Sequence, residues 1–556
     1  MTAARLLKRF APWLIIGAAV GAAAAAGWDN SATNDEPYHL LAAWTYVREG
    51  HADLNPEHPP LAKLLAGAAL LPLDPQPAAG PPVRRLLALA DEVRGFLYAN
   101  RVASISLLRS ARASQLLFLV ALLAGVFLWT RRLWGETAAL VALLAVACQP
   151  LALGHAMVVH TDVAGAAGWV WTLYAVQRWL DGRRLGWVAT GVVLGLALLA
   201  KFNTILLVPV LVVAVAVDCL RTKRLAVLAG LVGAGALATA VVVAGYAPAV
   251  RHVTAAEERA TIAAHLGQWP GTAPQIAALQ KVAGGSVPLA HYGLGLACVR
   301  AADANGQGIN VLMGRTSVRG FALYFPVAFA LKTSLPFLLL AVWGLVAAAV
   351  RRDRRDLLPL LAAAVFCLSL PGTTFNIGAR HLMPLLALLA VVASRHAARL
   401  PRPALAALAA ALALAPIVAF PSYIAHFSAL VGGARNGARY LNDSNLDWGQ
   451  DWRRLAGRAL TERWQPLTIV YLGAGCPTCD IPGAADFAAD PHAAPARYVA
   501  VSSYAAAAGP PYLAATGDAE TARALAALLA DLGRRGQELA TVGHTLTIYR
   551  LPDAAP

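Results

Sequence analysis

Charge is scarce in this chain. Only 14% of its 556 residues are Asp, Glu, Lys or Arg, and the acidic ones (30) are scarcer than the basic ones (46). With 58% hydrophobic residues and a mean hydropathy of +0.57, a soluble protein of several domains is excluded, and a polytopic membrane protein is expected. The net charge of +16 is not a nucleic-acid footprint, because the basic residues come in short clusters between apolar runs, and no nucleic-acid partner is expected. Cysteine is also rare, with six in all. Cys148, Cys219 and Cys367 stand singly within or at the ends of apolar runs and Cys298 in a long loop, which excludes a disulfide framework. Only Cys476 and Cys479 are paired by spacing; a local disulfide is the preferred reading, with two inert thiols, a metal half-site or a redox pair as alternatives. Periodic repeats are lacking, and the one biased feature is alanine-rich helix, which suits close helix packing.

What is abundant is apolar sequence in lengths that suit a bilayer. The run Phe10 to Gly27 follows Arg5, Lys8 and Arg9, so the N-terminus is expected to be cytoplasmic, with an uncleaved first helix preferred over a signal peptide. Further spans are expected near 113–130, 136–154, 162–180, 185–200, 203–218, 224–247, 322–350, 356–371, 379–395 and 403–420, about eleven in total. Arginine-rich connectors then fall on alternate loops, including Arg131-Arg132, Arg183-Arg184 and Arg351-Arg352, and the odd count puts the C-terminus outside. Three long segments lie outside: 28–112, 248–320 and everything after 420. The first is expected to carry interfacial helices near 38–49, 60–71 and 83–95. The chain thus divides into a membrane-embedded part, 1–420, and an outer region, 421–556. There, strand-like runs 467–472, 498–502 and 545–551 alternate with helix-like 452–464 and 518–534, as in a small α/β domain.

The stretch Asn34 to Lys63 concentrates polar chemistry immediately after the first span. Asp35 and Glu36 open it, and His58-Pro59-Pro60 closes it just before Lys63. One of these residues can serve merely as a helix cap, since Pro37 suits a first helical position. The other ionisable residues on the same expected face are His155, His160, Asp162, Lys201, Lys332 and Arg380, each from a different segment. Ionisable groups beside apolar segments are costly and point to function, although a single lysine such as Lys332 can simply snorkel. Carboxylates next to several cations suit a base for an acceptor and clamps for an anionic donor.

The acidic pair followed by His58-Pro59-Pro60-Leu61 and Lys63 resembles the first outer loop of the protein O-mannosyltransferase family and of the lipid A aminoarabinose transferases, within the GT-C superfamily of polyprenyl-phosphate-dependent glycosyltransferases. Thr161-Asp162, Ala200-Lys201-Phe202, Leu331-Lys332-Thr333 and Arg380-His381-Leu382-Met383-Pro384 are similar to motifs of bacterial members, and Asp443 to Asp451 resembles a signature of members with a C-terminal outer domain. The resemblance departs from the eukaryotic protein mannosyltransferases in lacking an inserted β-trefoil.

What the resemblance implies is a multi-pass enzyme of the bacterial inner membrane with its C-terminal domain in the periplasm. It would move a sugar from a polyprenyl-phosphate donor to a protein, lipid or glycan acceptor, with inversion. Asp35 would be the general base, and Glu36 and Asp162 would position the acceptor or tune Asp35. Lys201 and Arg380, with Lys332, would hold the donor phosphate, and His58, Pro59, Pro60 and Lys63 would form the substrate loop. A divalent metal is left open, with Glu57, His58 and His155 as ligand candidates. A transporter or flippase and a non-catalytic membrane scaffold are the alternatives from other classes; the first predicts polar residues at mid-membrane and paired repeats, the second leaves the outer acids and cations unexplained.

Overall fold

A computed structural model describes residues 3–76, 90–306 and 308–552. The membrane part is a stack of helices: α1 (Ala3–Gly27), α2 (Glu36–Trp44), α3 (Leu61–Leu70), α4 (Ala90–Tyr98), α5 (Ser104–Trp134), α6 (Glu136–Ala147), α7 (Pro150–Ala156), α8 (Asp162–Leu180), α9 (Gly186–Ala200), α10 (Leu207–Thr222) and α11 (Ala226–Tyr246). After a region of three helices, α12 (Ala255–Leu266), α13 (Ala273–Ala283) and α14 (Val287–Asn305), it resumes with α15 (Tyr324–Lys332), α16 (Leu335–Arg351), α17 (Leu357–Leu368), α18 (Met383–Ala397) and α19 (Arg402–Ala419).

Eleven apolar segments were expected to span, and an apolar helix occupies each of those positions. Among the described residues, however, five are long and apolar enough to cross a membrane, or six if α6 and α7, bent by 64°, form one broken span. The shortfall has a physical source. The 15 residues of α9 and the 15 of α18 rise about 1.5 Å each, short of a hydrocarbon core about 30 Å thick. α9 ends at Lys201 and α18 begins after the turn Ala379–Leu382, and both carry polar groups into one end of the bundle. The expected span 322–350 is likewise two helices, α15 and α16, broken at Thr333-Ser334.

The interior of the bundle is built from α5, α6, α8 and α18, whose buried leucines, valines and alanines form one continuous core with Trp129 and Trp169. By contrast α19 buries only 6% of its apolar window and exposes Leu414, Ile417 and Val418, an arrangement that suits a face turned to lipid. Below the outer loop, α2 and α3 pack so closely that a Cβ on Gly67 would come within 2.2 Å of the Ala43 carbonyl oxygen. Glycine is needed there for close approach. The expected interfacial helix 83–95 lies partly outside the described residues; its visible counterpart is α4.

The C-terminal α/β region holds α20 (Trp452–Glu462), α21 (Pro477–Asp480), α22 (Ser503–Ala515) and α23 (Ala519–Arg535) around a five-stranded sheet. A short hairpin, β1 (Asn310–Leu312) with β2 (Arg315–Ser317), precedes it in the chain. The sheet comprises β3 (Leu467–Val470), β4 (Ala485–Asp486), β5 (Tyr498–Ser502), β6 (Gln537–Val542) and β7 (Leu546–Arg550) in the order β4-β3-β5-β7-β6. β3 runs parallel to β4 and β5, whereas β7 is antiparallel to β5 and β6. The three strands expected from the sequence are β3, β5 and β7; β4 and β6 have a weaker signal, β4 being two residues long and β6 burying only its last residue. Cys476 and Cys479 form the local disulfide.

Candidate active site

The site forms where the ends of several helices meet the loop that follows α1. Asp35 occupies the position just before α2, yet its carboxylate makes no cap bond, so the capping role is not what holds it. Its Oδ2 lies 3.2 Å from Arg380 Nη1 and 3.4 Å from His160 Nε2. The next residue goes the opposite way. Glu36 is wholly enclosed and accepts from Arg112 Nε at 2.7 Å and Nη2 at 2.6 Å. It also accepts from the amides of Thr33 and Val159. Arg112, on α5, donates onward to the carbonyls of Asn30 and Ser31. The pair thus fixes the loop that presents Asp35, and every Glu36 oxygen is already engaged.

Asp162 begins α8 and Lys201 ends α9, and their side chains are in direct contact. Asp162 Oδ2 also stands 2.6 Å from His160 Nδ1 and 3.7 Å from Arg380 Nη1. Arg380 Nη1 donates to His160 Nε2 at 2.8 Å, which makes that nitrogen an acceptor and leaves the ring proton on the side of Asp162. Lys201 Nζ reaches His381 Nδ1 at 3.3 Å. Four residues expected from separate segments, Asp35, Asp162, Lys201 and Arg380, therefore form one ring of two carboxylates and two cations closed by His160. Its charges balance, so an anion entering the ring must compete with a carboxylate for each cation. Of the two acids, Asp35 has 29% of its side chain exposed and Asp162 only 2%. Burial alone would raise the Asp35 carboxyl, but the charge of Arg380 beside it holds it well below the usual carboxylate range.

Other expected site residues are placed elsewhere. Lys332 Nζ is buried and donates to the carbonyls of Ile424, His426 and Asn445; it does not reach the ring and serves to tie α15 to the outer chain. Lys63 is also fully buried, donating to Tyr46 Oη and Asn55 Oδ1 at 2.9 Å each, with Pro59 and Pro60 leading straight into its helix. It pins the 45–57 loop and is not open to a substrate. Glu57 accepts from Asn55 Nδ2 at 2.6 Å, and burial pushes its carboxyl up to about 7 against the pull of Lys63. His155 Nδ1 contacts the Leu151 carbonyl, away from Glu57. Of the three ligand candidates only His58 faces the ring, beside His39 and His160.

Sequence reasoning missed His39 and Trp448 as site residues. His39 sits one helical turn beyond Asp35, a spacing that puts the two on one face, so the signal was available. Trp448 lies under the Arg380 guanidinium at 4.2 Å from the ring centroid and beside His160. It belongs to the segment 442–451, which threads between bundle and sheet. Asn34 N donates to Trp448 O at 2.8 Å and Ser31 N to Gln450 O at 2.9 Å, and Asn445 Oδ1 accepts from Ala379 N in the turn bearing Arg380. Asp447 meanwhile accepts from Ser502 Oγ at the end of β5. Gly449, at φ +92°, makes the reversal between these contacts, and a Cβ there would meet the Tyr471 hydroxyl at 2.8 Å.

Residues 102–246 match the model of the dolichyl-phosphate-mannose-protein mannosyltransferase family. No curated protein matches the chain. Among solved structures, ArnT from Cupriavidus metallidurans bound to undecaprenyl phosphate is similar at 14% identity and a TM-score of 0.48, over 98% of each chain. The archaeal oligosaccharyltransferase AglB from Archaeoglobus fulgidus, in complex with an inhibitory peptide and a dolichol-phosphate, is similar at 14% identity and a TM-score of 0.48, over 93% of this chain and 72% of that one. The family match covers α5 to α11 of the bundle, with His160, Asp162 and Lys201, and agrees with the resemblance to the protein mannosyltransferases, while the motifs of the 34–63 loop lie outside the matched residues.

Proposed function

We propose that this protein transfers a sugar from a polyprenyl-phosphate donor to an acceptor hydroxyl or amine at the outer face of a bacterial inner membrane, with inversion and with Asp35 as general base. The observation that carries the reading is the ring itself, in which the partly exposed carboxylate of Asp35 adjoins Arg380 while Asp162, paired with Lys201, is enclosed. The family match supports a lipid-phosphate donor.

In this reaction the acceptor's proton passes to an Asp35 oxygen as its oxygen or nitrogen attacks the anomeric carbon. The bond from that carbon to the phosphate oxygen breaks, and the lipid phosphate leaves with the electron pair. Arg380 and Lys201 hold the phosphate and offset the charge that grows on it. Trp448 and His160 keep the guanidinium aimed. When the phosphate takes Arg380, Asp35 loses a partner that depresses its basicity, so donor binding prepares the base.

Two measurements test the assignment. Arg380→Gln and Lys201→Met should weaken donor binding by about 1.5–3 kcal/mol each, the range of a lost charge-assisted contact. Unchanged donor affinity in both would remove them from the site. The pH profile supplies an independent sign. Asp35 must be deprotonated to act, and its carboxyl is held low by the charge of Arg380. The acid limb of kcat/KM for wild type therefore lies below the ordinary carboxylate pKa of about 4. In Arg380→Gln the depressing charge is gone, and the limb should move to higher pH; a limb that stays in place argues against Asp35 as the titrating base.

The proposed orientation puts the N-terminus in the cytoplasm and the α/β region in the periplasm, on the alternation of arginine-rich connectors. A reporter that works only outside the cytoplasm should be active when fused after Phe420, and inactivity there would invert the geometry.

A further inference from the structure

We infer that His39, His58 and His160 form a binding site for one divalent transition-metal ion of the zinc type at the edge of the ring. One nitrogen from each imidazole converges with the others, and the three lie within 4.8 Å of one another. The ring centroids are separated by 4.9 Å (His39 and His58), 5.1 Å (His39 and His160) and 5.2 Å (His58 and His160). A metal at the centre, with Zn–N bonds of about 2.0–2.1 Å, would draw each nitrogen inward by less than about 1 Å. That is a side-chain adjustment.

Three further observations point to a ligand. Among the described residues, no protein hydrogen bond reaches the imidazoles of His39 or His58. His39 is only 2% exposed and packs beside the rings of His58 and His160. His160 carries the outer partner that ligating histidines usually have, the Asp162 carboxylate at 2.6 Å from Nδ1. To ligate an ion, its Nε2 would exchange the bond it accepts from Arg380 Nη1 at 2.8 Å for the metal. His58 is half-buried, so an ion can enter from its side.

Neutral imidazoles with one carboxylate nearby suit zinc, cobalt or nickel better than magnesium or calcium, which prefer oxygen. The site differs from the set expected from sequence, because Glu57 is held by Asn55 and His155 by the Leu151 carbonyl. It stands apart from the assignment of Asp35 as base, since it is read from metal binding and not from turnover.

The test uses the full chain in detergent, stripped with a chelator and titrated with Zn2+ or Co2+. Wild type should bind one ion per chain, and Co2+ should give the visible absorption of a four- or five-coordinate nitrogen-rich site. His39→Ala and the rim variant His58→Asn should each weaken binding by more than the roughly 10–100-fold typical of losing an outer partner. Unchanged melting of the metal-free variants separates ligand loss from misfolding, and His58→Asn keeps the test alive if His39→Ala does not fold. Absence of stoichiometric binding by wild type, octahedral Co2+ absorption, or equal affinity in folded variants would overturn the site, whatever the outcome of sugar-transfer assays.

Discussion

Asp35→Asn should reduce sugar transfer by about 10²–10⁴-fold, the usual cost of removing a general base, and more if no other group can take the acceptor's proton. Asparagine keeps the shape of the side chain. Because the Asp35 carboxylate caps nothing, no helix-terminal bond is lost. What is lost is the ion pair with Arg380 and a contact with His160, but the buried guanidinium keeps Asp162 Oδ2 at 3.7 Å and His160 Nε2 at 2.8 Å, so its charge is not left without a partner. The variant should therefore melt near wild type and bind donor at least as well, since Arg380 is freed for the phosphate. That combination, intact binding with lost turnover, separates a base from a structural residue. Near-normal turnover would mean that the base lies elsewhere. Asp162 is then the next acid in the ring, although its enclosure by Lys201 and His160 would require the ring to open.

The sequence made the membrane architecture and the four charged corners of the ring readable because each charged residue interrupts or borders an apolar run. An Asp or Lys at the end of such a run is visible against its background, and Asp35, Asp162, Lys201 and Arg380 share that signal. The same signal could not say which charges face a cavity and which serve as struts. Glu36 is adjacent to Asp35, but one residue is a rotation of about 100° on a helix, and it takes Glu36 inward to Arg112. Lys63 and Lys332 likewise look like cations at a rim, yet each spends its donors on internal oxygens. Their partners are mostly backbone carbonyls, which leave no trace in side-chain patterning. Arg112, early in α5 and three residues after Arg109, carries no sequence signal that separates it from a snorkelling side chain. The strap 442–451 was visible as a motif, but its function as a joint between Arg380 and the sheet depends on contacts across long chain separations, to which periodicity is blind.

The pair of Glu36 and Arg112 carries the largest expected effect on stability. Both side chains are shut off from solvent, and the guanidinium satisfies a carboxylate and the carbonyls of Asn30 and Ser31 at once. Removing one partner leaves the other charged and buried, a loss of about 3–5 kcal/mol in comparable cases. Glu36→Ala and Arg112→Leu should each lower the melting temperature in detergent markedly and reduce transfer only through loss of folded protein. The double variant Glu36→Ala with Arg112→Leu has no orphaned charge, although the two carbonyls and the amides of Thr33 and Val159 still lack their partners. Its destabilisation should fall well below the sum of the singles, and that non-additivity marks a direct pair. Additive losses, or a Glu36→Ala variant as stable as wild type, would show that the loop bearing Asp35 is held by other means, with the contacts of Asn34 and Ser31 to the 442–451 strap the remaining anchors.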